Sequence, residues 1–193
     1  MRGAELLRIA RMDDAEQLLE IYRPVVLETA ISFEVESPSV AEMQERIAHT
    51  LERLPWLIIE DEGRVVAYAY ATPHRERLAY QWSADVSVYV HPKARRRGLA
   101  RRLYTSLLDI LRFLGYYNAY AGIALPNEGS LRLHETMGFT QIAVYHKVGY
   151  KQGLWRDVSW WGLVLQPHSP SPAAPLLFSE MVKDGEIKKQ FGI

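Results

Sequence analysis

The chain has 193 residues, 48% of them hydrophobic, and its 23 basic and 23 acidic side chains leave a formal net charge of zero. That length suits one α/β domain with a continuous core, and the charge balance argues against a whole-protein field that draws in nucleic acid or an anionic membrane. There is no cysteine, which excludes disulfides, thiolate metal sites and a cysteine nucleophile. The opening MRGAELLRIARMDD has no long apolar run and no cleavage pattern, and no stretch approaches the ~20 apolar residues of a membrane span, so a soluble, cytoplasmic protein is expected.

Leu6 to Ile9 reads as a short first strand. Asp13 is expected to cap a helix, with Glu16 as its capping-box partner, and Leu18, Leu19, Tyr22, Val25 and Val26 recur at helical spacing. Pro24 should kink or end that helix. Ser39 and Glu42 repeat the capping-box signature before a second amphipathic helix through Met43, Ile47, Leu51 and Leu54, closed by Pro55. Trp56 to Glu60 and Arg64 to Thr72 read as a hairpin around Asp61-Glu62-Gly63. A polar connection, Pro73 to Gln81, leads to a β-branched strand, Trp82 to Val90. A leucine-periodic helix through Leu103, Leu107, Leu111 and Leu114 precedes a strand at Tyr117 to Ile123 and a short helix at Asn127 to Met137, stopped by Gly138. Gln141 to Lys147 and Arg156 to Val164 are the last two strands. The order βααβββαβαββ is a mixed α/β pattern. The composition changes at Pro167, so residues 1–166 are expected as the domain and 167–193 as a Pro/Ser-rich linker and partly ordered arm.

Val86 to Leu107 carries the most chemistry. A strand ends at Val90, the basic run Lys93, Arg95, Arg96 and Arg97 follows, then Gly98-Leu99-Ala100 opens a helix. Unpaired N–H groups at a helix start, together with the helix dipole, favour an anion such as phosphate. Gly98 admits a bulky anion to the backbone, and the arginines add charge-assisted bonds. A basic run alone would equally describe a solvated loop; small residues at fixed places between strand and helix favour the anion site. The spacing fits neither GxxxxGK[ST] nor GxGxxG.

Arg95-Arg96-Arg97-Gly98-Leu99-Ala100 resembles the pyrophosphate loop, Arg/Gln-x-x-Gly-x-Gly/Ala, of the GNAT superfamily of N-acetyltransferases. Asn127, Ser130, His134 and Gly138-Phe139 resemble a second signature of that superfamily, with His134 where a tyrosine often protonates the departing thiolate. The resemblance implies a mostly antiparallel central sheet flanked by helices, with a splayed strand pair holding acetyl-CoA. Cofactor contacts are then expected from Val88, Tyr89, Val90, Arg95, Arg96, Arg97, Gly98, Leu99, Ala100, Arg101, Asn127 and Ser130. Ser130 and His134 share a helix face, and imidazole can donate a proton near neutral pH.

Glu28-Thr29-Ala30-Ile31-Ser32-Phe33, Tyr80-Gln81-Trp82, Ser87-Val88-Tyr89-Val90, Gly149-Tyr150-Lys151 and Trp155-Arg156-Asp157-Val158 resemble segments of the phosphinothricin and methionine sulfoximine acetyltransferases, a subfamily of that superfamily. The resemblance implies a small amino-acid-like amine as acceptor. The family's strand carboxylate, usually Glu, matches Asp85, which is one methylene shorter, so a water relay is needed or the base lies elsewhere. Asp85, Ser87 and Tyr89 alternate onto one face of the strand. Arg75 and Arg77 match positions that hold the acceptor's acidic group, and Phe33, Tyr80, Ser87 and Tyr104 are expected in its pocket. No metal motif is present. A homodimer is expected through the final strands, where Trp155, Trp160 and Trp161 offer apolar surface. Acetylation of a protein N-terminus or lysine, and a non-catalytic CoA-binding sensor, are the competing readings.

Overall fold

The structure is a computed structural model and describes residues 5–193. Residues 1–4, part of the opening stretch read as lacking a leader pattern, lie outside the described residues. Seven strands form one sheet in the order β1-β2-β3-β4-β5-β7-β6. They are β1 (Leu6–Ile9), β2 (Trp56–Asp61), β3 (Arg64–Pro73), β4 (Ser83–Val90), β5 (Asn118–Ala124), β6 (Thr140–Lys151) and β7 (Leu154–Val164). All neighbours are antiparallel except β4 and β5. Between the strands lie α1 (Ala15–Glu28), α2 (Val40–Arg53), α3 (Leu99–Phe113) and α4 (Glu128–Thr136), in the chain order expected from periodicity.

The two sheet faces have different covers. Leu18, Tyr22 and Val26 of α1 with Met43 and Ile47 of α2 pack on Trp56, Ile58 and Tyr68. On the other face Leu103, Leu107 and Leu111 of α3 meet Leu57, Ile59, Val86 and Ala119. This is strand alternation at work: Leu57 and Ile59 face α3 while Ile58 faces α1 and α2.

Three local features add detail to the expected pattern. The first cap falls one residue later than Asp13. A 3₁₀ turn, Met12–Asp14, precedes α1, and the Asp14 carboxylate accepts from the Arg11 N–H at 2.7 Å and from the Arg8 guanidinium at 2.8 and 2.7 Å. Asp14 holds the N-cap position of α1 without a side-chain bond to that helix, and Arg8 neutralises its carboxylate as it is buried. Pro24 does not end α1, which runs on to Glu28. Burial of Leu18, Leu19, Ile21, Tyr22, Val25 and Val26 along the same helix outweighs the ~3 kcal/mol that an interior proline costs. The tail is packed rather than loose. α5 (Phe178–Lys183) and α6 (Glu186–Phe191) bury Phe178 and Ile187 in the α3-side core. The Trp82 indole N–H donates to the Ala173 carbonyl at 2.7 Å, and the Leu176 N–H to the Leu114 carbonyl at 2.8 Å. The capping box of α2 forms as expected, with the Glu42 N–H donating to Ser39 Oγ at 3.2 Å and the Ser39 N–H to Glu42 Oε2 at 2.7 Å.

Candidate active site

β4 and β5 run parallel for three residue pairs only, Ser83–Asp85 against Asn118–Tyr120. Beyond that rung each strand follows its other neighbour. β4 stays laddered to β3 through Val90, and β5 to β7 through Ala124. The fork leaves a cleft of 470 Å³ whose walls are Val86–Val90 and Ala121–Ala124. Backbone polar groups along a parted strand edge lack their ladder partners and are available to a ligand.

At one end of the cleft stands the start of α3. Its N-cap, Gly98, has φ of +81°, a left-handed conformation that favours glycine, and a Cβ there would meet nothing within 4 Å. Arg95, Arg96, Gly98, Leu99, Ala100 and Arg101 all line the cleft, and among the described residues none of these three arginines makes an ion pair. Arg97 is different. Its guanidinium is held at 2.7 Å by both Glu5 and Asp61, so it braces the loop instead of lining the cleft. Asn127 caps α4, accepting from the Ser130 N–H at 3.2 Å, and places Gly129, Ser130 and His134 along the opposite wall. Of the residues expected at the cofactor, all but Arg97 therefore meet in one cleft. The arginines without ion pairs, the open glycine and the helix start suit a phosphate-bearing ligand.

His134 is buried at 3% exposure. Its Nδ1 donates to the Ser130 carbonyl at 2.8 Å, and burial holds the ring below its usual titration range, although that bond works the other way. A neutral ring with its proton on Nδ1 offers Nε2 as an acceptor, so the Tyr104 hydroxyl, 3.2 Å away, donates to it. Tyr104 thus belongs with His134 deep in the cleft and not with the aromatics expected around the acceptor.

Three of the remaining acceptor residues lie outside the cleft. Arg75, Arg77 and Tyr80 line a separate cavity of 680 Å³ together with Pro73, His74 and Glu76. Asp85 sits on the last paired rung and is linked to this cavity through His74, whose Nδ1 is 2.7 Å from its carboxylate. Desolvation raises Asp85 above the ordinary carboxylate range, while the His74 bond and the nearby Arg75 charge oppose that rise. Ser87 lines the cleft, and Tyr89, on the same strand face, packs edge-on against Tyr22 at 5.1 Å.

Phe33 is half-exposed on the loop between α1 and α2, and its ring lies against Gly149, where any Cβ would overlap it. Lys151, a residue with no assigned role in the sequence, fixes that loop. Buried at 7% exposure, its ammonium donates to the carbonyls of Val26, Ser32 and Glu34 at 2.6, 2.6 and 2.7 Å. His74 also escaped notice, since it lies in a stretch legible only as polar connection. The tryptophans divide between environments. Trp161 is core at 6% exposure, while Trp155, six residues away on the same strand face, is 61% exposed because it lies beyond the stretch of β7 that pairs with β5.

A parallel pair that forks beside an arginine-lined helix start defines a mixed α/β protein with a cleft suited to an anionic ligand. The chain matches the model of the acetyltransferase (GNAT) domain over residues 7–160 and belongs to that family. It is an acetyl-CoA-dependent N-acetyltransferase of the GNAT type. It is 34% identical over 171 residues to a phosphinothricin N-acetyltransferase of Streptomyces viridochromogenes, covering 88% of this chain and 93% of the relative. It is 33% identical to an L-methionine sulfoximine/L-methionine sulfone acetyltransferase of Salmonella typhimurium, covering 86% and 98%. The fold superposes with a TM-score of 0.83 on a phosphinothricin acetyltransferase of Sinorhizobium meliloti solved with acetyl-CoA, at 30% identity over 91% of this chain and 99% of that one. Among the described residues no helix is long and apolar enough to cross a membrane, and no group of three His, Cys, Asp or Glu side chains is placed to hold a metal ion.

Proposed function

We propose that the protein acetylates the amine of a small amino-acid-like acceptor, of the kind named for its phosphinothricin and methionine sulfoximine relatives. The observation that carries this reading is the cavity holding Arg75, Arg77 and Tyr80, which His74 links to Asp85 on the last rung before the strands part. Guanidinium groups recognise a carboxylate or phosphinate through charge-assisted, often bidentate bonds. An amino acid seated on them by its acid end presents its amine toward the fork.

Acetyl-CoA supplies an activated thioester carbonyl. Arg95, Arg96 and Arg101 with the amide end of α3 hold its diphosphate, and Asn127 and Ser130 contact its arm. A backbone N–H near Val88 or Tyr89 stabilises the carbonyl oxygen as it gains charge. An acceptor ammonium is no nucleophile until a base at Asp85 and its partner removes a proton. Tyr104 and His134 supply the proton that the departing sulfur requires.

A homodimer is part of the same proposal. Tyr150 and Trp155, paired across the β6–β7 hairpin with ring centroids 5.4 Å apart, are 60% and 61% exposed, an apolar surface that a second copy would cover. Sedimentation velocity of the full chain reads this directly.

The test of function is thiol release from acetyl-CoA across phosphinothricin, methionine sulfoximine, methionine sulfone, common amino acids, polyamines and short peptides. Turnover concentrated on amino-acid-like acids is the expected outcome. Turnover confined to peptides moves the assignment to a protein acetyltransferase, and binding of acetyl-CoA without any turnover moves it to a sensor.

A further inference from the structure

The carboxylate expected to serve as base is already occupied. Asp85 Oδ1 lies 2.7 Å from Nδ1 of His74, and a carboxylate at that distance accepts the ring's N–H. The proton is thereby fixed on Nδ1, and Nε2 is left with a free lone pair and no hydrogen-bond partner among the described residues. Aromatic neighbours hold the ring in place. It lies over Tyr120 with centroids 4.5 Å apart, and meets Tyr80 and Trp160 edge-on at 6.0 and 6.3 Å. Tyr120 is the residue that pairs with Asp85 on the last rung before the strands part. His74 therefore stands at the apex of the fork, and it also lines the cavity that carries Arg75 and Arg77.

We infer that His74 is a catalytic residue, the base that takes the proton from the acceptor amine through Nε2, and that Asp85 is a positioning residue that holds its tautomer and orientation. The shorter carboxylate at position 85 and the histidine eleven residues before it form one device: an imidazole interposed where a longer acid would reach by itself. A carboxylate that accepts the Nδ1 proton fixes the tautomer and orientation of the ring and sits beside the imidazolium once it forms.

The inference rests on the acetyl-transfer reading. The acceptor ammonium gives one proton to Nε2, the freed nitrogen lone pair forms the new C–N bond to the thioester carbonyl, and the C–S bond breaks. Tyr104 gives its proton to the sulfur, which leaves as a thiol, the second amine proton replaces the one Tyr104 gave, and the imidazolium returns the first proton to solvent.

The test compares wild type, His74→Ala and Asp85→Asn with any acceptor that wild type acetylates, alongside calorimetric titration of acetyl-CoA and proton NMR. His74→Ala is expected to lower kcat by about 10²-fold or more while acetyl-CoA affinity is kept. Added imidazole should restore part of that turnover, which a merely structural role would not allow. Asp85→Asn should lower kcat and abolish a downfield Nδ1–H resonance that His74→Ala also removes. Near-wild-type turnover of His74→Ala, or a loss that imidazole leaves untouched, overturns the assignment. Should wild type acetylate nothing while binding acetyl-CoA, the acceptor reading fails. The NMR arm then decides the pair alone: no Nδ1–H resonance dependent on both residues means that no such base is built.

Discussion

Tyr104 and His134 are locked as donor and acceptor. The Ser130 carbonyl can only accept, so it holds the ring proton on Nδ1, and the Tyr104 hydroxyl must donate to Nε2 across 3.2 Å. The side chain with a hydroxyl proton beside the cleft is then tyrosine, although it arrives from α3 and not from the α4 position where a tyrosine is often found.

That arrangement gives stability a pH dependence with a definite sign. Burial holds folded His134 below its ordinary value of 6.5, so the unfolded chain takes up a proton first as the pH falls. The stabilisation is complete above about pH 6.5 and is lost as the pH drops through the folded value. Thermal unfolding of wild type should shift downward between pH 7.5 and 5.5 by more than that of His134→Gln. Parallel curves for the two proteins would show that His134 is not buried as a neutral ring.

The arginine run should divide by function. Arg96 and Arg101 line the cleft without ion pairs, whereas Arg97 is bound by Glu5 and Asp61. Arg96→Ala or Arg101→Ala should weaken acetyl-CoA about tenfold or more, since a charge-assisted bond contributes ~1.5–3 kcal/mol. The effect should shrink in high salt. Arg97→Ala should lower the unfolding temperature and weaken acetyl-CoA much less. Calorimetry and differential scanning fluorimetry on the three variants read both quantities.

The loop bearing Phe33 should be a specificity element held from β6. Lys151→Met leaves three carbonyls without their ammonium donor and should cost ~2–4 kcal/mol, an unfolding-temperature drop of about 5–15 °C. Gly149→Val forces the Phe33 ring off its seat and should raise the acceptor KM while leaving acetyl-CoA affinity alone. Equal damage to both ligands would mean that the loop supports the whole site.

The tail should behave as core. Phe178 is 1% exposed among α3-side residues, so Phe178→Ala should destabilise by ~3–5 kcal/mol despite lying outside the matched family region. Urea unfolding followed by tryptophan fluorescence measures it. A change under 1 kcal/mol would return the tail to the status of a loose arm.

Short-range pattern in the sequence was enough for the order of elements, the Gly98 loop and the Asn127-Ser130-His134 helix. Periodicity, capping and the turn into a helix are settled by residues within one or two turns of each other, as the Ser39–Glu42 box illustrates. Where side chains point was decided by the tertiary structure. The register of β3 on β4 sets Pro73 opposite Ala84, which brings His74 onto Asp85, and no local pattern encodes that rung. Arg97 differs from Arg96 because Glu5, just before β1, and Asp61, at the end of β2, come to it. Lys151 finds its three carbonyls more than a hundred residues away, and Phe178 finds a pocket on the α3 side of the sheet. An ion pair, a burial or a tautomer belongs to two surfaces at once. A linear sequence specifies each surface, and only the folded register specifies which two meet.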